Sequence, residues 1–157
     1  MPFIYMIGLL IVLIGADQGI KAWVSATMTQ GQSDTLIPGV LSLTNLHNHG
    51  AAWSMLQGKM NFFLIISVAA VLVMGYYLIK FRKSRGYSFT IVFLLAGTIG
   101  NFIDRGIHGY VVDMFQVDLN LPFLNFVFNF ADACLTFGVI MLLIMLWRSE
   151  KLESAKS

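Results

Sequence analysis

Four apolar stretches divide the chain, at about 3–23, 60–79, 87–105 and 129–147. Crossing a bilayer takes about 20 mostly apolar residues, with about 17 as the lower limit. Met60 to Ile79 runs without a charge, and so does Tyr87 to Ile103. The fourth stretch carries Asp132 as its one charge. The first continues past Asp17 to about Trp23. No Lys or Arg precedes it, and Asp17 and Lys21 fall where a cleavable segment would end, so it reads as a retained span. The pattern predicts a single integral membrane domain of four transmembrane helices, with no internal repeat.

The pattern changes between the spans. In the connection 24–59, Leu41-Ser42-Leu43-Thr44 alternates apolar and polar residues after Pro38-Gly39. Thr35 to Leu46 therefore reads as a strand following a turn. Asn48-His49-Gly50-Ala51-Ala52-Trp53 follows, where Gly50 and two alanines permit close backbone approach. In the connection 107–128, Tyr110-Val111-Val112 is β-prone and would hold Asp113 rigidly. A small outer sheet at the membrane surface is expected, with Trp23 and Trp53 in the outer aromatic belt and Trp147 in the inner one.

Charge orients this plan. Seven of the ten basic residues lie in the 80–85 loop or in the tail 148–157, and only Lys21, Lys59 and Arg105 lie at the opposite ends. Basic residues in short loops mark the cytoplasmic side, so both termini are expected inside and the connections 24–59 and 107–128 outside. Every aspartate then falls at or near the outer surface. The composition, 57% hydrophobic and 11% charged, departs from the roughly 25% charged of soluble domains. A net charge of +2 without a basic cluster interleaved with aromatics gives no footprint for nucleic acid. The single cysteine, Cys134, excludes an internal disulfide and multi-cysteine metal motifs, and reads as packing.

The acids carry the chemistry. A carboxylate in hydrocarbon costs roughly 2.5–3.5 kcal/mol on insertion scales, so such residues face the bundle interior and serve function. Asp17 and Lys21, four apart on one face, are expected to neutralise each other at the rim of a site. Asn101, Asp104 and Arg105 share a second face, with Asp104 pairing Arg105 or Lys21. Asp34 and Asp118 sit in polar loops and read as solvated. His47 and His49 alternate on one strand face with no obvious third ligand, so they read as surface rather than a metal site. Asn48 is either a turn residue or a holder of substrate backbone. Asp113 and Asp132 remain, from different segments. Two carboxylates brought together share a proton, which supplies a base and an acid at once. No Ser-His-Asp set or His-Glu-x-x-His motif competes. The residues alone leave an aspartyl hydrolase and a proton-coupled carrier both open.

The motifs Asp17-Gln18-x-x-Lys21, Asn48-x-Gly50-Ala51-Ala52-Trp53, Gly100-Asn101-x-x-Asp104-Arg105, Val111-Val112-Asp113 and Phe128-Asn129-x-Ala131-Asp132 together resemble the lipoprotein signal peptidases, the bacterial type II signal peptidase family. The resemblance implies a membrane aspartyl endopeptidase that removes signal peptides from prolipoproteins, cutting on the amino side of a cysteine carrying diacylglyceryl. It implies an all-α membrane protein, four transmembrane helices with a small extracytoplasmic β-cradle, in the bacterial plasma membrane. By motif position Asp113 and Asp132 match the catalytic pair. Asn48, Gly50, Asn101, Arg105, Asn129 and Ala131 match substrate-site positions, and Asp17, Lys21 and Asp104 match supporting ones. Expected partners are diacylglyceryl-cysteine prolipoproteins and membrane lipid, with no cofactor, no metal and no nucleic acid, the chain acting as a monomer. Two positions depart from the family pattern: Met114 and Trp53 stand where phenylalanine is common, which bears on pocket shape.

Overall fold

The computed structural model describes residues 3–50, 58–119 and 125–154. Its elements run α1 (Phe3–Thr27), β1 (Ser33–Ile37), β2 (Leu41–Asn48), α2 (Met60–Lys80), α3 (Arg85–His108), β3 (Val111–Val117), β4 (Phe126–Phe128) and α4 (Phe130–Ser154). All four helices are long and apolar enough to cross a membrane. α1, α3 and α4 overrun the apolar stretches read from sequence. Hydropathy marks the thickness of hydrocarbon, whereas the helix continues for as long as its backbone hydrogen bonds can propagate.

α3 is the hub. Half of its apolar span is buried inside the protein, against 11–17% for the other three. It packs on α1, α2 and α4, while Ile11, Ile65, Leu72 and Leu143 on those helices point outward and are exposed. Aliphatic bands of that kind suit lipid, not water. Close approach of α3 needs glycine at two points. A Cβ on Gly97 would run into the Ala131 carbonyl, and one on Gly100 into the Asp17 carboxylate and the Ala131 side chain. α3 ends where Gly109 takes the left-handed conformation, φ 76°, with its N–H on the Arg105 carbonyl.

The strands form one antiparallel sheet in the order β1-β2-β3-β4. The stretch Thr35 to Leu46, read as one strand, is two. Pro38 has no N–H to give a ladder and Gly39 turns at φ 70°, so the chain reverses there. β4, only three residues long, was too short to carry a legible alternation.

The register of β2 on β3 decides what the sheet presents. Leu43 pairs with Phe115, but Leu46 pairs with Asp113, so β2 carries one extra residue between the two pairs. Side chains alternate faces along a strand, so one inserted residue flips everything beyond it. Without the bulge Asn48 would lie on the face opposite Asp113; with it, Asn48, Leu46, Val111 and Asp113 share one face. The other face of β3, Val112 and Met114, buries itself on Val24 and Met28 of α1 and its end. The sheet is thereby clamped to the helices with Asp113 turned the other way.

Candidate active site

Four charged or polar side chains meet between α1 and α3 with almost no exposure. Asp17, Lys21 and Asp104 are 1–3% exposed. Lys21 Nζ lies 2.9 Å from both Asp17 Oδ2 and Asp104 Oδ2 and donates to Asn101 Oδ1 at 3.1 Å, so its three protons are all engaged. The remaining carboxylate oxygens are also satisfied. Asp17 Oδ1 accepts the Ala131 N–H at 2.8 Å, and Gln18 Nε2 donates to Asp104 Oδ1 at 3.0 Å. Asp104 Oδ2 accepts the Val112 N–H at 3.1 Å. One cluster thus ties α1, α3, β3 and the start of α4 together. Of the two partners open to Asp104 in sequence, it takes Lys21 and not Arg105.

The two remaining acids are joined by a pair of asparagines. Asn129 Nδ2 donates to Asp113 Oδ1 at 2.7 Å and to Asn101 Oδ1 at 3.1 Å. Asn101 Nδ2 donates to Asp132 Oδ1 at 2.7 Å. Asn48 Nδ2 donates to Asp113 Oδ2 at 2.9 Å. Asp132 lies in the first turn of α4, where its Oδ2 accepts the Asn129 N–H at 3.2 Å while Asn129 Oδ1 accepts the Asp132 N–H at 2.9 Å. That reciprocal cap starts the helix, and the positive end of the helix dipole favours the carboxylate. Of the two roles left open by the sequence for Asn48, the turn is present: its Oδ1 accepts the Gly50 N–H at 2.9 Å.

Asp113 and Asp132 face one cavity of about 800 Å³. Asn48, Asn101 and Arg105 join them at its polar end, and Phe128, Leu135 and Ile140 continue it as an apolar wall along β4 and α4. Burial, and then the negative charge of Asp132, push the Asp113 carboxyl up to about 6, against the pull of its bonds from Asn48 and Asn129. A carboxyl that holds its proton well above the ordinary range beside a second carboxylate can serve as acid while its neighbour serves as base.

Residues 9–148 match the family Signal peptidase (SPase) II. The chain is 53% identical to the lipoprotein signal peptidase of Lactiplantibacillus plantarum over 152 residues, covering 96% of this chain and 99% of that one. It is 50% identical to the lipoprotein signal peptidase of Enterococcus faecalis over 141 residues, covering 88% and 85%. A solved structure described as a bacterial membrane enzyme superposes with a TM-score of 0.86 at 36% identity, covering 93% of this chain and 89% of the other. The chain belongs to the signal peptidase II family. It is a multi-pass membrane protein and a peptidase.

Against that family pattern the departures resolve unevenly. Met114 is fully buried beneath the sheet with Val24 and Met28, so its difference from phenylalanine falls away from the cavity. Trp53, with Ala51 and Ala52, lies outside the described residues. Asn129 and Ala131, expected to line the substrate site, are fully buried and are not among the residues lining the cavity; Asn129 Nδ2 donates to Asp113 and the Ala131 N–H to Asp17. Gly50 is buried and its carbonyl accepts from Arg105 Nη2 at 3.2 Å. The Arg105 guanidinium lies 4.8 Å from the centre of the Phe63 ring, a contact with α2 that nothing in the motifs announces.

His47 and His49 both meet Tyr110, His47 stacked at 3.9 Å between ring centres and His49 edge-on at 5.6 Å. Asp34 is exposed beside Gln32, and Asp118 gives its N–H to Val40 at the far end of β3; neither lines the cavity. Cys134 is buried. Gln18 had no assigned role, yet its Nε2 reaches Asp17, Asp104 and the Gly100 carbonyl. Its place between Asp17 and Lys21 in the first motif was the available signal.

Proposed function

We propose that the chain is an aspartyl endopeptidase that removes signal peptides from diacylglyceryl-modified prolipoproteins, cutting on the amino side of the lipidated cysteine. Asp113 and Asp132 act as the catalytic pair. The observation that carries this reading is the chain Asp113–Asn129–Asn101–Asp132, which holds two acids from a strand and a helix on one cavity that is polar at the acids and apolar beyond them. In the reaction one carboxylate takes a proton from water, the oxygen of that water attacks the scissile carbonyl, and the other carboxyl protonates the carbonyl oxygen. The proton then passes to the leaving amine as the bond breaks. Asn48, Gly50, Asn101 and Arg105 flank the substrate backbone. Asn129, Ala131, Asp17, Lys21 and Asp104 act through position.

The distribution of lysine and arginine supports an outer placement of the site and sheet, with both termini cytoplasmic, in the bacterial plasma membrane. The enzyme works as a monomer and without a cofactor. A signal peptide helix satisfies its own backbone groups in lipid, so cleavage requires it to open at the rim, where water reaches the acids.

The apolar wall gives the acyl chains somewhere to lie, and each buried methylene contributes about 0.8 kcal/mol. Diacylglyceryl-modified prolipoprotein is therefore expected to be cleaved with a kcat/KM at least about 100-fold above the unmodified precursor, since burying a few methylenes suffices for that ratio. Side-by-side cleavage of the two in one detergent tests it, and equal rates sink the reading.

The raised carboxyl of Asp113 sets the pH dependence. The pair needs one proton, which Asp113 retains up to about 6. Above that pH both groups ionise and the acid is lost, so kcat/KM is expected to fall along an alkaline limb; protonation of both at low pH removes the base. Such a bell reports the coupled pair in the free enzyme. A kcat/KM unchanged from about pH 5 to pH 9 contradicts the shared-proton mechanism.

A further inference from the structure

At the end of the bundle opposite the acids, α4 turns Met141, Ile144, Met145, Arg148 and Ser149 toward Gly86 in the first turn of α3. These six residues line a second cavity, of about 500 Å³. The five α4 positions follow the spacing of one helical face. The walls of the slot are almost wholly apolar, thioether and aliphatic side chains together with the carbons of Arg148 and Ser149. Trp147 beside it is exposed, as suits a ring at the headgroup level of a membrane.

The same end of the bundle carries Lys80, Arg82, Lys83 and Arg85. Among the described residues, Arg82, Lys83, Arg85 and Arg148 pair with no carboxylate. Orientation of the chain would need those cations but no slot beneath them. An apolar slot beside an excess of basic residues, seven lysines and arginines against Glu150 and Glu153 at this end of the chain plan, has the chemistry of a phospholipid site, with an acyl chain below and a phosphate above. The net positive charge of this end, and Arg148 at the slot in particular, favour a lipid of net negative charge over a zwitterionic one.

We propose that this slot binds one anionic phospholipid of the phosphatidylglycerol type, its phosphate on Arg148 and one acyl chain between Met141, Ile144 and Met145. The test is native mass spectrometry of the full chain in detergent, titrated with phosphatidylglycerol or phosphatidylcholine. One phosphatidylglycerol is expected to be retained more tightly than phosphatidylcholine. Arg148→Gln weakens it about fivefold, one basic residue near a lipid surface being worth about 1 kcal/mol. Ile144→Trp, which fills the slot, weakens both lipids, whereas Lys83→Gln, which does not line it, changes retention less than about twofold. Thermal unfolding of each variant in the same detergent separates lost binding from lost fold. Equal retention of the two lipids, or a loss in Lys83→Gln matching that in Arg148→Gln, overturns the site in favour of diffuse attraction.

Discussion

Asp113→Asn and Asp132→Asn are each expected to abolish cleavage of diacylglyceryl-modified prolipoprotein, by at least about 10³-fold, while leaving the protein folded. Positioned acid–base groups contribute about 10²–10⁴-fold each, and in the proposed mechanism the two carboxyls divide one proton between them. Removing either takes away the base or the acid and also the coupling that keeps the other in its working state. Asparagine keeps the shape. Asp113 accepts from two amide groups, on Asn48 and Asn129, so an asparagine there keeps one of these bonds and the second amide turns aside. Asp132 also caps α4, and an asparagine oxygen can accept the same N–H. Asp118→Asn is the matched control, because Asp118 lies outside the cavity, and it should cleave as wild type does. Initial rates in detergent, with substrate binding measured on the same samples, decide the matter. Normal cleavage by either variant removes that residue from the pair and moves attention to Asp104 and Asp17.

Lys21→Met should destabilise the protein by about 3–5 kcal/mol, the usual cost of removing one partner from a buried ion pair. The reason lies in what is left behind. Asp17 and Asp104 are both buried, and each has its Oδ2 2.9 Å from Lys21 Nζ. With the ammonium gone, two carboxylates share a site with only N–H donors to hold them. Asn101 also loses one of the two donors to its Oδ1, keeping only Asn129 Nδ2, so the amide that presents Nδ2 to Asp132 is held less firmly. Activity should fall along with stability. Thermal unfolding in detergent measures the first effect, with the exposed Lys59→Met expected within about 0.5 kcal/mol of wild type. Adding Asp17→Asn and Asp104→Asn to Lys21→Met should recover part of the loss, because the stranded charges are then removed. A Lys21→Met protein that melts with the wild type contradicts the ion cluster as a source of stability.

Much of this was legible before any coordinates. A run such as Met60 to Ile79 is helical in lipid because nothing else satisfies its backbone there, and an acid inside such a run needs an inward-facing partner. Hence the four helices and the acids Asp17, Asp104 and Asp132 stood out. The turn at Pro38-Gly39 and the strand carrying Asp113 were readable from local residue chemistry. β4 was not, since three residues carry too little periodicity to register.

What the sequence by itself determined is the set of elements and the short list of groups able to do chemistry, because propensity, hydropathy and motif spacing act over a few turns of chain. The tertiary structure alone decided how those groups are paired. Lys21 meets Asn101 across 80 residues of chain and Asp104 farther still, and Ala131 reaches Asp17 across 114. The extra residue in β2 turns Asn48 onto the face of Asp113, and the buried Asn129 donates to the same carboxylate. Such choices depend on where glycine lets α3 close on its neighbours and on which buried donors remain unsatisfied once it has. Those are properties of the packed whole, and no local stretch encodes them.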